Sequence, residues 1–240
     1  MTKPVQRGKF ITFEGLDGCG KSTQLEKLAA VLRAEGIEVL TTREPGGTEI
    51  GERIRAVLLD SRTAGLDPWA EMALMFASRA QQLAQVIVPA LESGRWVLCD
   101  RYTDSTEAYQ GGGRELGSES VLHVHQVLCR GIWPDLTILM DSEVDHSVKR
   151  ARRRNQAALD GDHPDENRFE QESQAFFTRV RDGFIAIAQR EPQRVAMVDA
   201  RRRAEVVHPE IVQVVRQRLL GANEPIPRNQ SVNAETIKEL

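Results

Sequence analysis

The segment GLDGCGKST, Gly15 to Thr23, follows the apolar run FITFE and decides how the rest of the chain is interpreted. It fits the pattern G-x-x-x-x-G-K-[ST]. Glycines let the backbone take positive φ angles and wrap closely around a ligand. Successive N–H groups then form an anion-binding nest at a helix N-terminus, where the helix dipole adds positive potential. The segment therefore predicts a binding loop for nucleotide phosphates.

Short apolar runs alternate with helix-period segments along the chain. Near-continuous apolar runs are typical of the strands of a parallel sheet, which are buried on both faces. These runs predict five strands: Phe10–Phe13, Glu38–Thr41, Trp96–Cys99, Leu136–Met140 and Val195–Val198. The predicted helices are one after Lys21 and four others: Pro68–Leu91, Val144–Arg154, Phe169–Arg190 and Glu205–Leu219. This alternation predicts an α/β fold of the P-loop NTPase type, with a five-stranded parallel sheet between helices and a short lid.

The domain organisation follows from the same pattern. Residues 9–220 are predicted to form a single domain, with an acceptor-binding segment at about 43–110 and a lid at about 150–168. The polar stretch Asn155–Asn167 predicts a mobile loop within that lid. We expect residues 1–8 to be flexible and the tail 221–240, which has no apolar periodicity, to be disordered.

Composition narrows the function classes. The 240 residues carry a net charge of -3, which argues against a general nucleic-acid or membrane-surface binder. Cys19, Cys99 and Cys129 match neither a disulfide framework nor a zinc site, which favours a reducing cytoplasm. His123 and His125 would diverge by about 200° on a helix, so we reject a metal site there.

The phosphate loop predicts a nucleoside triphosphate site, and other patterns narrow the reaction. The sequence has no Asn-Lys-x-Asp pattern, which marks guanine-binding proteins, and no apolar strand ending in Asp-Glu, which marks ATPases that drive motion. These absences favour a kinase of small phosphate acceptors. Lys21 is expected to contact the β- and γ-phosphates, and Ser22 to offer an oxygen to Mg²⁺. The predicted ATP-binding set is Gly15, Leu16, Asp17, Gly18, Cys19, Gly20, Lys21, Ser22 and Thr23.

A kinase of this kind needs a second anion site beside the first. Arginine suits this site because its planar fork binds phosphate oxygens in a bidentate way. TTREPGGTEIGERIR supplies Arg43 and Arg55 after the second strand, and Asp100-Arg101 closes the third. KRARRR, from Lys149 to Arg154, runs into the polar loop. Two structural alternatives stay open: Arg101 pairs with Asp100, or the arginine run is a solvated helix face.

Five motifs together resemble thymidylate kinase, a family of nucleoside-monophosphate kinases. They are FEGLDGCGKST, TREPGGT, DRYTDSTEAYQGGGR, WPDLTILMD and RFEQES, and they arrive in the family's order over roughly residues 9–205. The resemblance implies phosphorylation of dTMP to dTDP by ATP with Mg²⁺, in a homodimer to which the helix Pro68–Leu91 contributes. It also implies the bacterial type in which a lid arginine is catalytic, since the phosphate loop itself contains none.

The resemblance also implies roles for individual residues. Asp17 is expected to accept the 3′-hydroxyl, Arg55 and Arg101 to hold the acceptor phosphate, and Arg79 and Gln110 to bind the edge of thymine. The full substrate-binding set is Asp17, Arg43, Arg55, Met75, Phe76, Arg79, Arg101, Ser105 and Gln110. The metal set is Ser22, Glu44 and Asp100. The catalytic set is Lys21, Asp100, Arg101, Arg152, Arg153 and Arg154.

Some choices stay open at this stage. Met75 occupies the position where the family has a phenylalanine stacked on thymine, and Phe76 comes one residue later, so either side chain could cover the ring. Asp17 could instead stabilise the loop as a turn residue. The alternative functions are a kinase for another monophosphate, dUMP or a purine nucleotide, and a P-loop ATPase that is not a kinase.

Overall fold

A computed structural model of the chain describes residues 6–159 and 166–221. Its centre is a five-stranded parallel sheet with strand order β2-β3-β1-β4-β5. The strands are β1 Phe10–Glu14, β2 Val39–Arg43, β3 Trp96–Asp100, β4 Leu136–Asp141 and β5 Val195–Asp199. The predicted fold class is confirmed. The second strand was placed too early, since it begins at Val39 and runs two residues beyond Thr41.

Nine α-helices flank this sheet in the described part of the chain. They are α1 Lys21–Ala34, α2 Glu49–Leu59, α3 Pro68–Gln82, α4 Val88–Glu92, α5 Thr103–Thr106, α6 Ser118–Leu128, α7 Val144–Leu159, α8 Gln174–Arg190 and α9 Ala204–Val215. Three π-helical segments continue α3, α5 and α9: Leu83–Ile87, Glu107–Gly113 and Arg216–Leu220. The Asp67 carboxylate caps α3 by accepting the N–H groups of Trp69 and Ala70, and Pro68 occupies the first helical position.

Several of the predicted helices differ from the observed ones. The predicted helix Phe169–Arg190 is a 3-10 turn, Phe169–Gln171, followed by α8, because Ser173 caps a new helix by accepting the Phe176 N–H at 3.2 Å. Residues 155–159, predicted as loop, continue α7, and residues 160–165 of that loop lie outside the described part. Helices α2 and α6 were not predicted from the sequence.

Both faces of the sheet are buried. On one face, Leu25 and Leu28 of α1 and Ile211 of α9 pack against the sheet residues Ile11 and Ile138. On the other, side chains of α3, α4 and α6 pack against the opposite side of β1 and β3. A third cluster joins α8 to the segment Glu107–Gly113. Because the strands are covered on both sides, only their carboxyl ends remain available to a ligand.

The N-terminal residues next to β1 are anchored. Gly8 N–H donates to the Leu91 carbonyl at 2.8 Å, and Arg7 forms an ion pair with Asp135 at 2.9 Å. The predicted flexible segment 1–8 therefore does not include these two residues, and residues 1–5 lie outside the described part. The tail prediction likewise falls on undescribed residues, 222–240. No helix within the described ranges is long and apolar enough to cross a membrane.

His125 of α6 is a buried core histidine. Its Nδ1 lies 2.9 Å from the Thr103 hydroxyl, and its ring centroid is 4.0 Å from that of Trp133. His123 is exposed, as the helical spacing predicted, and the described residues contain no cluster of three or more metal-ligating side chains. Burial lowers the pKa of His125 from 6.5 to about 4, and the charges of Arg79 and Arg194 act in the same direction.

This histidine is expected to make the protein sensitive to mild acid. The unfolded chain binds a proton at this position below about pH 6.5, whereas the folded chain does so only near pH 4. The free energy of unfolding therefore falls as the pH drops through this window, by roughly 3 kcal/mol from this group. Urea unfolding at pH 7 and pH 4.5 should show a smaller loss for His125→Gln than for wild type. His123→Gln, at an exposed site, should match wild type; equal losses in all three proteins would contradict the assignment.

Candidate active site

A cleft of about 670 Å³, counting the solvent at its mouth, opens where the strands end. Main-chain contacts extend the strand pairing to this edge, since Glu44 N–H donates to the Asp100 carbonyl at 2.9 Å and Arg101 N–H to the Phe13 carbonyl at 3.0 Å. The cleft is lined from six parts of the chain: the phosphate loop, the β2–α2 connection, α2, α3, the segment after β3 and the stretch 166–170. The carboxyl ends of β1, β2 and β3 therefore meet at one site.

The phosphate loop, Gly15 to Ser22, joins β1 to α1 in a conformation that its glycines require. Gly15, Gly18 and Gly20 have φ angles of 131°, 84° and 102°. A Cβ on Gly15 would lie 2.5 Å from the Met140 carbonyl oxygen, so no other residue fits there. Lys21 is buried, and its ammonium donates to the carbonyls of Gly15 at 3.2 Å and Leu16 at 2.9 Å. The loop thus holds a positive charge at its centre.

Arg101, the residue that follows β3, connects the phosphate loop to the cleft. Its Nη2 donates to Asp17 Oδ1 at 2.7 Å and its Nη1 to Ser105 Oγ at 2.8 Å. Tyr109 donates its hydroxyl to Asp17 at 3.2 Å. Burial alone would lower the pKa of Arg101, but Asp17 raises it well above its usual value. The alternative that Arg101 serves as a structural partner of Asp100 is wrong, because its ion-pair partner is Asp17.

Arg55 of α2 lies across the cleft and binds a carboxylate from the end of the lid. Its Nε and Nη2 donate to the two oxygens of Glu166 at 2.8 and 2.7 Å, and its Nη1 donates to the Pro45 carbonyl at 3.0 Å. Parallel N–H bonds of this kind are also how arginine binds phosphate. Glu166 therefore occupies the face of Arg55 on which an acceptor phosphate was predicted.

Arg43, by contrast, lies outside the cleft lining. Its side chain is exposed, and Nη2 pairs with Glu52 of α2 at 3.1 Å. The strand places it one residue before Glu44, and alternate residues of a strand point to opposite sides. The prediction of Arg43 as a substrate ligand therefore receives no support from the structure, and we remove it from the candidate set.

The inner end of the cleft is formed by Arg79 of α3 and its partners. The Arg79 Nε donates to Glu44 Oε2 at 2.6 Å and its Nη2 to Thr106 at 3.0 Å. Its Nη1, although buried, has no hydrogen-bond partner among the described residues. Met75 lines the cleft, whereas Phe76 is fully buried in the core, with its ring 4.9 Å from the guanidinium carbon. Of these two residues, only Met75 borders the cleft, which favours it as the side chain that covers the base.

Gln110, in the π-helical segment after α5, lies beside Arg79 in the lining. It is almost completely buried, and its Nε2 donates to Glu71 Oε1 at 2.7 Å. Its Oε1 accepts no hydrogen bond from the described residues. Within the described residues, Arg79 Nη1 thus lacks an acceptor and Gln110 Oε1 lacks a donor, and both residues line this end of the cleft.

Two aromatic lining residues were missed in the sequence. Tyr109 and Phe169 meet edge to face, with ring centroids 5.6 Å apart, and both border the cleft. Each stands inside a stretch singled out above, AYQGGGR and RFEQES, so the motif was available as a signal but the residue was not chosen. Thr106, which binds Arg79, could not be distinguished from the neighbouring hydroxyl residues by pattern alone.

The arginines of the predicted lid lie on α7, next to the phosphate loop. A Cβ on Gly18 would lie 2.4 Å from the Ser147 carbonyl oxygen, so the loop and the helix are in close contact. The Arg152 Nε donates to the Glu170 carbonyl at 3.0 Å, and Arg153 is exposed. The side chain of Arg154 lies outside the described residues. The helix that carries the lid arginines is therefore in direct contact with the phosphate loop.

Comparison with known proteins identifies the family. Residues 13–211 match the family model described as thymidylate kinase. The chain belongs to the thymidylate kinase family. A thymidylate kinase from Trichlorobacter lovleyi is 51% identical over 80% of this chain and 89% of its own length. One from Pelotomaculum thermopropionicum is 44% identical over 88% of this chain and 94% of its own.

A solved thymidylate kinase structure agrees with this assignment. The crystal structure of thymidylate kinase from Ehrlichia chaffeensis superposes with a TM-score of 0.68 at 31% sequence identity, covering 87% of this chain and 99% of that one. The resemblance drawn from the sequence motifs is thereby confirmed for family and fold. The roles of individual thymidylate kinase residues remain predictions.

Proposed function

We propose that this protein transfers the γ-phosphoryl group of ATP to the phosphate of dTMP, forming ADP and dTDP. The observation that carries the proposal is a single cleft that runs from the phosphate loop, at Asp17 and Arg101, to a free donor and acceptor at Arg79 and Gln110. One end suits the reacting phosphates and the other suits a pyrimidine. In the reaction, a phosphate oxygen of dTMP bonds to the γ-phosphorus and the bond to the β-phosphate oxygen breaks.

The donor nucleotide is assigned to the phosphate loop. Its main-chain N–H groups and the Lys21 ammonium would bind the β- and γ-phosphates, and Lys21 would exchange its two carbonyl contacts for phosphate oxygens. Burial of Cys19 raises the pKa of its thiol, which suits a space-filling role in the loop. Positioning and charge neutralisation account for most of the catalysis that such a site supplies.

Mg²⁺ is assigned to the oxygen atoms at the start of α1 and the end of β3. Ser22 Oγ donates to Asp100 Oδ2 at 2.6 Å, and a hydroxyl beside a carboxylate matches the preference of Mg²⁺ for a few protein oxygens together with phosphates and water. Ser22 and Asp100 would hold the ion, and its positive charge would neutralise part of the charge on the phosphates. The carboxylate of Glu44 instead pairs with Arg79, so its proposed contribution is to support the site without direct ligation.

The acceptor phosphate is assigned to Arg101 and Arg55. For the phosphate to bind Arg55, Glu166 must leave it, which would shift the end of the lid. Asp17 would accept a hydrogen bond from the 3′-hydroxyl of the sugar, in competition with its bond from Tyr109. The catalytic lid arginine is one of Arg152, Arg153 and Arg154, which closure of the lid would bring to the transferred group.

The base is assigned to the inner end of the cleft. The free Arg79 Nη1 would donate to O4 of thymine, and Gln110 Oε1 would accept from N3–H. Met75 would cover one face of the ring.

We also propose a homodimer that covers the exposed apolar side chains of neighbouring helices: Ile50 and Val57 on α2, Trp69 on α3 and Val127 on α6. Three free buried cysteines support a reducing cytoplasm as its location.

A substrate panel tests this function. ADP release from ATP and Mg²⁺ would be followed with dTMP, dUMP, dCMP or AMP as the acceptor. The proposal predicts the highest kcat/KM for dTMP and little ADP without an acceptor. Faster turnover of dUMP or AMP would favour a kinase for another monophosphate, and ADP release that ignores the acceptor would favour a P-loop ATPase.

A further inference from the structure

The side-chain amide of Gln110 has two chemically different ends, and the end that faces the cleft decides which base it accepts. An exposed Oε1 accepts a hydrogen bond, whereas an exposed Nε2 donates one. Thymine presents a donor at N3 and an acceptor at O4, and cytosine presents the reverse. The orientation of this one amide therefore distinguishes two classes of pyrimidine.

Glu71 of α3 fixes that orientation. Its side chain is fully buried, and its Oε1 accepts from Gln110 Nε2 at 2.7 Å. A carboxylate only accepts hydrogen bonds, so the amino end of Gln110 must face Glu71 and the carbonyl end must face the cleft. Turning the amide over would set two acceptors against each other in a buried environment.

Two guanidinium groups hold the Glu71 carboxylate in place. The Arg168 Nη1 donates to its Oε2 at 2.6 Å, and the Arg114 Nη2 donates to the same oxygen at 3.1 Å. Arg168 is buried and also donates to the Leu58 carbonyl, while Arg114 contacts the Phe176 ring and pairs with Glu172. If the carboxylate rotated away, both guanidinium groups would lose a charged partner, and the buried Arg168 would keep only the Leu58 carbonyl as an acceptor among the described residues.

We propose that Glu71, which has no place in the cleft lining, is a specificity-determining positioning residue. It locks Gln110 as an acceptor so that, next to the donor Arg79, the site selects bases that carry N–H beside a carbonyl. This inference rests on the proposed function, because it needs a pyrimidine monophosphate in the cleft. The Glu71 carboxylate would thus cause the site to reject cytosine-type bases without touching the substrate.

The test compares dTMP with 5-methyl-dCMP, which has the same shape and methyl group but reversed donor and acceptor positions. Wild type should favour dTMP by about 100-fold or more in kcat/KM. Glu71→Gln can accept or donate, so Gln110 turns freely and the preference should fall by about tenfold or more, mainly through KM. Glu107→Gln is the matched control: it removes another buried carboxylate, bound in a bidentate way by Arg190, without contact to Gln110. Its preference should equal that of wild type.

A swap of the two side chains tests the same contact by restoring it. In Glu71→Gln combined with Gln110→Glu, the new amide can donate to the new carboxylate, whose other oxygen is again an acceptor facing the cleft. The preference for dTMP should return to within about tenfold of wild type. A preference unchanged in Glu71→Gln, or a swap no better than it, would overturn the inference. Absence of dTMP turnover in wild type would contradict the proposed function instead.

Discussion

Replacing Lys21 with alanine is expected to lower kcat by about 10³-fold, because the ammonium neutralises charge on the transferred phosphoryl group. The chain should keep its fold. The lysine donates to the carbonyls of Gly15 and Leu16, which can bind water once it is gone, and its ion pair with Asp17 is long, at 3.8 Å. Steady-state ADP release and a thermal unfolding curve measure the two quantities separately.

Lys27→Ala is the control for this substitution, because Lys27 lies on the same helix, two turns from the loop and only partly buried. It should keep kcat within about twofold of wild type, as surface substitutions usually do. Substantial activity in Lys21→Ala would show that the phosphate loop is not the donor site. Loss of folding in that variant would show that the lysine is needed for structure.

Replacing Arg101 with methionine is expected to lower kcat/KM for dTMP by about 10³-fold. Arg101 contacts Asp17 of the phosphate loop as well as Ser105 and Tyr109, and it lines the cleft. Its φ angle of 73° is unfavourable for any side chain, so methionine adds no new backbone cost. Both a higher KM for dTMP and a lower kcat are expected, since the guanidinium binds the acceptor phosphate before and during transfer.

Lysine at position 101 should restore little of this activity, because an ammonium cannot bind Asp17 and phosphate with parallel bonds. Arg53→Ala removes an exposed arginine from α2 that pairs only with Glu49, and it should leave kcat/KM within about twofold. For Arg101→Met, a KM that falls while kcat is unchanged would contradict the assignment. So would a loss of kcat/KM no larger than that of Arg53→Ala.

The fold was predictable because its signals are local. Each strand is a short apolar run, and the phosphate loop needs Gly15, Gly18 and Gly20 at positive φ, which few other sequences provide. The start of α8 was missed because Phe169 and Phe176 lie on opposite sides of the Ser173 cap, and their spacing matches about two turns of a continuous helix. Such a cap is visible in the sequence only as one serine among several polar residues.

The position of a site residue could be predicted where the sheet topology determines it. The contacts of its side chain could not be predicted where several partners are within reach. Arg101 lies at the end of β3, so its place beside the phosphate loop follows from the topology. Arg43 has the same kind of position, yet its side chain pairs with Glu52. The contact between Arg55 and Glu166 joins residues 111 positions apart, and nothing local in the sequence encodes it. Glu71 was missed for the same reason, because its role depends on three distant donors.

The most direct test of the account follows the terminal phosphate itself. ATP labelled at the γ-phosphate would be incubated with wild-type protein, Mg²⁺ and dTMP, and the nucleotides separated by chromatography. If the protein transfers the γ-phosphoryl group to dTMP, the label appears in dTDP in an amount equal to the ADP formed. Label that appears as inorganic phosphate, or that stays in ATP while the nucleotide remains bound, would contradict the claim that this cleft holds a phosphate donor and a thymidine acceptor together.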